Sequence, residues 1–152
     1  GAAFAPIAAL YPAAAKDAGI DRGALKSWIA TDPTALGRIE AVVHPLVAAD
    51  RARFLANATA DIVVLDIPLL FEKSSQSEFD ATLLVTAPAA LQRQRVLARP
   101  GMTEAQFQSI LARQMPDTEK RSLATHIVET LDLPSAQAYV TALIAHIRNP
   151  HA

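Results

Sequence analysis

Cysteine is absent from all 152 residues, which removes disulfides, thiolate metal sites and cysteine nucleophiles together and suits a cytoplasmic protein. Aromatic residues make up only 5% and glycines number five. Charge of either sign is missing as an excess: the formal net charge is -1, so no global basic field advertises nucleic acid, and an anionic ligand must be met by a local cluster of cations. No apolar run approaches the roughly 20 residues that a membrane helix requires, and nothing at the start has the form of a secretory signal. The expectation is one soluble domain with no membrane partner and room for a core. What fills it is an apolar fraction of 51% rich in alanine, which favours helices packed through small contacts.

Read along the chain, residues 3–15 are alanine-rich and broken by Pro6 and Pro12, giving a short helix or two turns. Asp21 caps a helix with Leu25, Trp28 and Ile29 on one face. Thr31 or Asp32 caps the next, with Pro33 in its first turn and Leu36, Ile39, Val42 and Val43 buried. Pro45 is expected to interrupt that helix, and a third runs from Leu46 to Ala56. In DIVVLDIPLLFE, Asp61 to Glu72, the run Ile62 to Leu65 reads as a strand buried on both faces. The polar loop KSSQSE follows, then a second strand at residues 81–85 and a helix at 89–99. Pro100-Gly101 forms a turn, and Thr103 with Gln106 is a capping box opening another helix. A third strand at 125–129 and an amphipathic helix at 135–148 close the chain. This order is that of an α/β domain with a parallel sheet.

Asp66 stands at the carboxyl end of the expected strand, where open parallel sheets place ligand chemistry and where a carboxylate can hold a metal-bound phosphate. The plainer reading is an Asp that begins a loop. Four histidines, 44, 126, 146 and 151, show no metal-ligand spacing, so no zinc is expected.

Three segments, ALKSWIATDPTALGRIEAVVHPLV, VVLDIPLLFE and RVLARPGMTEAQFQSILARQMPDTEKR, together resemble the dephospho-coenzyme A kinase family in order and spacing. The resemblance covers most of the chain from Asp21 to Thr130. It implies a three-layer, parallel-sheet P-loop kinase core with a helical substrate-binding subdomain at 21–56, core segments at 61–92 and 125–152, and a lid at 93–121. It also implies ATP and Mg as cofactors and phosphorylation of the ribose 3'-hydroxyl of dephospho-CoA.

The family opens with a strand and a G-x-x-x-x-G-K-[ST] loop. Glycines 1, 19, 23, 37 and 101 do not form that motif, so the first strand and the phosphate loop, on the order of 40 residues, are expected to be absent. Phosphoryl transfer is nearly all positioning and charge stabilisation, so this chain alone is expected to be inactive. A chain without its first strand should expose apolar surface and associate into a homo-oligomer.

The resemblance assigns Asp66 to metal, and His44, Phe71 and Glu72 to the substrate cleft. His44 on an apolar helix is otherwise a hydrogen-bonded core residue. Arg95, Arg99 and Arg113 match the lid, with Arg99 and Arg113 the catalytic candidates. Guanidinium groups suit this task because they stay charged and grip phosphate in a fork. The alternative is a solvated face paired with Glu104, Asp117 and Glu119, which is the expectation for Arg93 and Arg121. Thr125 and Thr130 stand where relatives carry Asp and Asn near adenine, which puts those contacts in doubt. Two other functions remain open: another small-molecule P-loop kinase of the adenylate or shikimate type, and a non-catalytic binding or oligomerising module.

Overall fold

The computed structural model describes residues 1–149, so His151 lies outside the described residues. The chain divides into two compact units, residues 1–65 and 66–152.

In the first unit, α1 (Phe4–Leu10) is followed by a single 3-10 turn at Pro12–Ala14. Pro6 is accommodated because it sits in the first turn of α1, where backbone N–H groups have no helical partner. A minimal antiparallel hairpin, β1 (Ala15–Lys16) and β2 (Gly19–Ile20), comes next. Its return uses Gly19 at φ 131, a backbone state that side chains disfavour. Helix α2 (Arg22–Thr31) is capped by Asp21, whose Oδ1 accepts from the Gly23 and Ala24 amides at 2.8 and 3.1 Å.

Helix α3 (Ala35–Asn57) starts later than expected. Thr31 is the last residue of α2, its hydroxyl bonded back to the Ser27 and Trp28 carbonyls. Asp32 closes a turn over Pro33 by accepting from the Thr34 amide and hydroxyl at 2.8 and 2.7 Å. This short-range side-chain bond competes with helix for the same backbone donor. Nor does Pro45 interrupt the helix: α3 runs 23 residues through it. Pro45 removes the donor that would serve the Ala41 carbonyl, but both residues are exposed, so water can take that carbonyl. Only Ala35 of α3 is buried; Ile39, Val42 and Val43 are half-buried, and Leu36, expected inside, is 47% exposed.

Ile7, Ala14, Trp28 and Ala35 form the interior of this unit. The Tyr11 ring stacks on Trp28 at 4.6 Å and 8° between planes, and the Arg38 guanidinium lies 5.2 Å from the Trp28 ring centre. The Trp28 indole N–H donates to Asp32 Oδ2 at 3.2 Å, so the indole is satisfied at both its apolar face and its polar edge.

Ile62 to Leu65 corrects the sequence reading. These residues belong to no strand, and Val64 is 83% exposed instead of buried. A strand is defined by its ladder, and no described segment pairs with this one. An apolar run alone supplies no partner.

In the second unit, residues 68–75 form a tight turn with Leu69 at φ 60 and Ser74 at φ 53. Backbone bonds Lys73 to Leu69, Ser74 to Phe71 and Ser75 to Leu70 hold it. The expected polar loop contains one 3-10 turn, Gln76–Glu78. Strands β3 (Leu83–Thr86) and β4 (His126–Glu129) pair in parallel, Leu83 opposite His126 and Thr86 opposite Glu129. Leu84, Thr86 and Val128 point inward. Threonines clasp both ends of this ladder. Thr82 and Thr125 exchange amide-to-hydroxyl bonds of 3.0 and 3.1 Å at the start, and Thr130 donates to the Thr86 carbonyl at 3.0 Å at the finish.

Helix α4 (Ala89–Leu97) stops short of Arg99. The chain then turns through Gly101, at φ 76, into α5 (Glu104–Leu111), which opens on the Thr103–Gln106 capping box. Helix α6 (Asp117–Leu123) was not foreseen; it begins after Met115-Pro116 with two acids in its first turn and two cations in its last, in keeping with the helix dipole. Helix α7 (Leu133–Arg148) is capped by Asp132, which accepts from the Ser135 amide at 2.7 Å. Strand, helices, parallel strand and helix make this an α/β arrangement, as expected.

Candidate functional site

Parallel strands deliver their polar residues to the carboxyl end. At that end of β3, Thr86 is 4% exposed, and its hydroxyl donates to Asp117 Oδ1 at 2.6 Å while accepting from Gln92 Nε2 at 3.3 Å. Asp117 also accepts from Arg121 Nε at 2.6 Å, and the other arm of Arg121 reaches Glu129 at the end of β4. Burial pushes the Asp117 carboxyl up, but the Thr86 hydroxyl and the Arg121 guanidinium outweigh it and hold the group below the usual range. Hydrogen bonds to Asp117 and Glu129 hold Arg121 further toward its charged form.

A second polar knot joins the 68–75 turn to α6. Glu72 Oε1 lies 2.7 Å from Lys120 Nζ and accepts from the Met115 amide at 3.0 Å. The two side chains are 14% and 17% exposed. Burial raises the Glu72 carboxyl; the Lys120 ammonium, its own backbone amide and that of Met115 lower it by more, leaving it below the usual range. Its other oxygen, Oε2, is buried without a partner.

The arginines separate by what they touch. Arg93 is paired with Glu104 and Arg121 with Asp117, as the alternative reading held for these two. Arg95 donates to the Thr130 hydroxyl at 3.1 Å and the Leu131 carbonyl at 3.0 Å, bracing the turn after β4. Arg99 is not on the helix face of Arg95, because α4 ends two residues earlier. Arg113 likewise lies beyond α5. Both are exposed, and their guanidinium groups have no partner among the described residues.

Phe71 is an interior residue, 6% exposed. Asp66 is exposed. His44 is exposed on α3, its imidazole without a partner among the described residues, so it is not the hydrogen-bonded core histidine that an apolar helix suggests. No group of three or more His, Asp or Glu among the described residues could hold a metal ion by itself, and no helix among them is long and apolar enough to cross a membrane.

Sequence reasoning missed Thr86, Gln92 and the pairing of Lys120 with Glu72, and it knew Asp117 only as a partner for surface arginines. Thr86 carried the same signal that singled out Asp66, a polar residue ending an apolar strand. The Thr86–Asp117 contact could not be found without knowing that α6 packs against β3; Lys120 needed the approach of α6 to the 68–75 turn, and Gln92 the placement of α4.

Parallel strands joined through helices, with polar groups gathered at their carboxyl ends, define an α/β protein of the kind that takes its ligand at that edge of the sheet. A family model described as dephospho-CoA kinase matches residues 2–132. Similar proteins include the dephospho-CoA kinases of Cereibacter sphaeroides, 70% identical over 97% of this chain and 75% of that protein, and of Ruegeria pomeroyi, 51% identical over 100% and 78%. A crystal structure of TT1252 from Thermus thermophilus superposes with a TM-score of 0.78 at 35% identity, covering 93% of this chain and 75% of that one. The chain belongs to the dephospho-CoA kinase family.

Proposed function

We propose that this chain provides the substrate helices, the lid and part of the core of an enzyme that transfers the γ-phosphoryl group of ATP to the 3'-hydroxyl of dephospho-CoA, the final step of coenzyme A biosynthesis. The observation that carries the reading beyond family membership is the pair of unpartnered, exposed guanidinium groups, Arg99 and Arg113, flanking α5. Guanidinium charge with no partner among the described residues suits the triphosphate of a nucleotide.

In this reading Arg99 and Arg113 contact the transferring phosphate. Arg95 supports them by ordering the turn after β4, to which it already donates two bonds. Residues 21–56 form the substrate-binding helices and residues 93–121 the lid, with 61–92 and 125–152 as core. His44 is the proposed substrate contact of the first unit, on α3, and Phe71 with Glu72 the proposed substrate-binding residues of the second, in the 68–75 turn. Asp66 would hold Mg through water, a fit supported by its exposure and by the habit of Mg to take one or two carboxylates plus substrate phosphates. When bound, Mg would neutralise charge on the β- and γ-phosphates. The proposed location is the cytoplasm, where ATP is supplied to biosynthesis. Exposed Val47, Phe54, Val64 and Leu133 support self-association.

The 152 residues contain no G-x-x-x-x-G-K-[ST] loop, so the chain alone is proposed to be inactive. The test follows coenzyme A formation from ATP, Mg and dephospho-CoA by mass spectrometry, comparing this chain with the product of the complete gene. Only the latter should turn over, with dephospho-CoA preferred to AMP or shikimate. Arg113→Ala in that product should cost on the order of a hundredfold in kcat/KM. Turnover by the 152-residue chain, or a preference for AMP, refutes the reading. Light scattering tests association: a strict monomer counts against it.

A further inference from the structure

Glu72 joins two segments far apart in the sequence. Its Oε1 is engaged by two groups 43 and 48 residues further on, the Met115 amide at 3.0 Å and the Lys120 ammonium at 2.7 Å. The base from which it reaches is stiff: the 68–75 turn holds two non-glycine residues at positive φ and is closed by three backbone bonds, with Phe71 buried beside Glu72. The segment it reaches is the short connection between α5 and α6. There the Arg113 amide bonds to the Ile110 carbonyl and the Gln114 amide to the Leu111 carbonyl, both at 3.1 Å. These bonds continue the end of α5, whereas the Met115 amide, next in line, has left the helix and, among the described residues, is received by Glu72. Arg113 therefore sits two residues from the point where the connection is pinned.

We propose that Glu72 is a positioning residue for Arg113: by accepting the Met115 amide it sets the path of the α5–α6 connection, and Lys120 keeps the carboxylate in place to do so. The phosphate-binding consequence rests on the function proposed above; the positioning itself does not. A buried acceptor that receives a backbone amide leaves that amide unsatisfied when removed, so local opening at Met115 should become easier while the bonds within α5 persist.

The test uses the 152-residue chain and amide hydrogen exchange resolved by NMR. Glu72→Ala should lower protection of the Met115 amide by about tenfold or more, with the interior amides of α5 changed much less. Glu72→Gln, which keeps an oxygen acceptor but no charge, should restore most of that protection. The reversed pair Glu72→Lys with Lys120→Glu should not, because lysine carries no acceptor. A simple structural ion pair gives the opposite ranking, with the reversed pair rescuing and the glutamine variant failing. That ranking, or unchanged Met115 protection in Glu72→Ala, overturns the proposal.

Binding of inorganic triphosphate by calorimetry reads the consequence. Glu72→Ala and Arg113→Ala should each weaken it severalfold, and the double variant should be no weaker than Arg113→Ala alone, since one acts through the other. Additive losses overturn the proposal. Triphosphate binding indifferent to Arg113→Ala sinks the phosphate role of Arg113 instead, and the exchange ranking then decides Glu72.

Discussion

Replacing Thr86 by valine removes one oxygen from the end of β3 and keeps the branched shape that a strand favours. The hydroxyl is buried, donates to Asp117 at 2.6 Å and accepts a longer bond from Gln92 at 3.3 Å. A hydrogen bond to a charged group contributes about 1.5–3 kcal/mol net. The Asp117 side chain is 42% exposed and retains Arg121, which places this bond in the lower half of that range, about 1.5–2 kcal/mol. With a urea dependence of about 2 kcal/mol per molar, the unfolding midpoint should fall by about 0.8 M.

Far-UV circular dichroism is the suitable probe. The single tryptophan, Trp28, lies in the first unit, so its fluorescence reports residues 1–65. The sign of the pH effect is fixed by Asp117, whose carboxyl is held below 3.8 in the folded state. Its contribution is present above 3.8 and is lost as pH falls through the lowered folded value. The gap between Thr86→Val and the parent should therefore narrow on acidification. A valine variant within about 0.5 kcal/mol of the parent at neutral pH would refute the argument, as would a gap that does not change when Asp117 is protonated.

Pro45→Ala should stabilise the first unit by about 1–3 kcal/mol, because it restores a helical donor and relieves the ring clash inside α3; a lower thermal midpoint by Trp28 fluorescence would contradict this. Gly101→Ala should cost about 1 kcal/mol in the second unit. Its φ is 76 and no atom lies within 4 Å of the added methyl, so the penalty is that of backbone conformation alone. Glu72 is held below 4.5, so the stability it adds is present above that pH and lost as pH falls through the lowered value. The difference between the parent and Glu72→Gln, followed by urea titration, should shrink on acidification and not grow.

Local signals transferred well from sequence to structure. The Asp21 cap, the Thr103–Gln106 capping box and the Pro100-Gly101 turn each involve neighbours within a few residues, so their chemistry is complete in the sequence. The short strands at β3 and β4 were legible from apolar runs bounded by polar residues. Pro45 misled because the exposed Ala41 carbonyl can turn to water, which lowers the cost of proline inside α3, and exposure is a tertiary property. Ile62 to Leu65 misled for a related reason: apolarity favours a strand but the ladder must come from another segment. Family membership was readable because three separated motifs matched in order, and the comparisons agree with it.

The sequence by itself determined the Asp21 cap, the Thr103–Gln106 capping box, the Pro100-Gly101 turn, most of the helical segments and the family to which the chain belongs, since each depends on residue identity at short spacing. Only the tertiary structure decided which arginines are paired and which are free, that Thr86 meets Asp117, and that Glu72 holds the Met115 amide. The last two contacts join residues 31 and 43 positions apart. Which of several similar charges becomes a neighbour is set by how the helices pack on the strand ends, and sequence spacing carries no record of that.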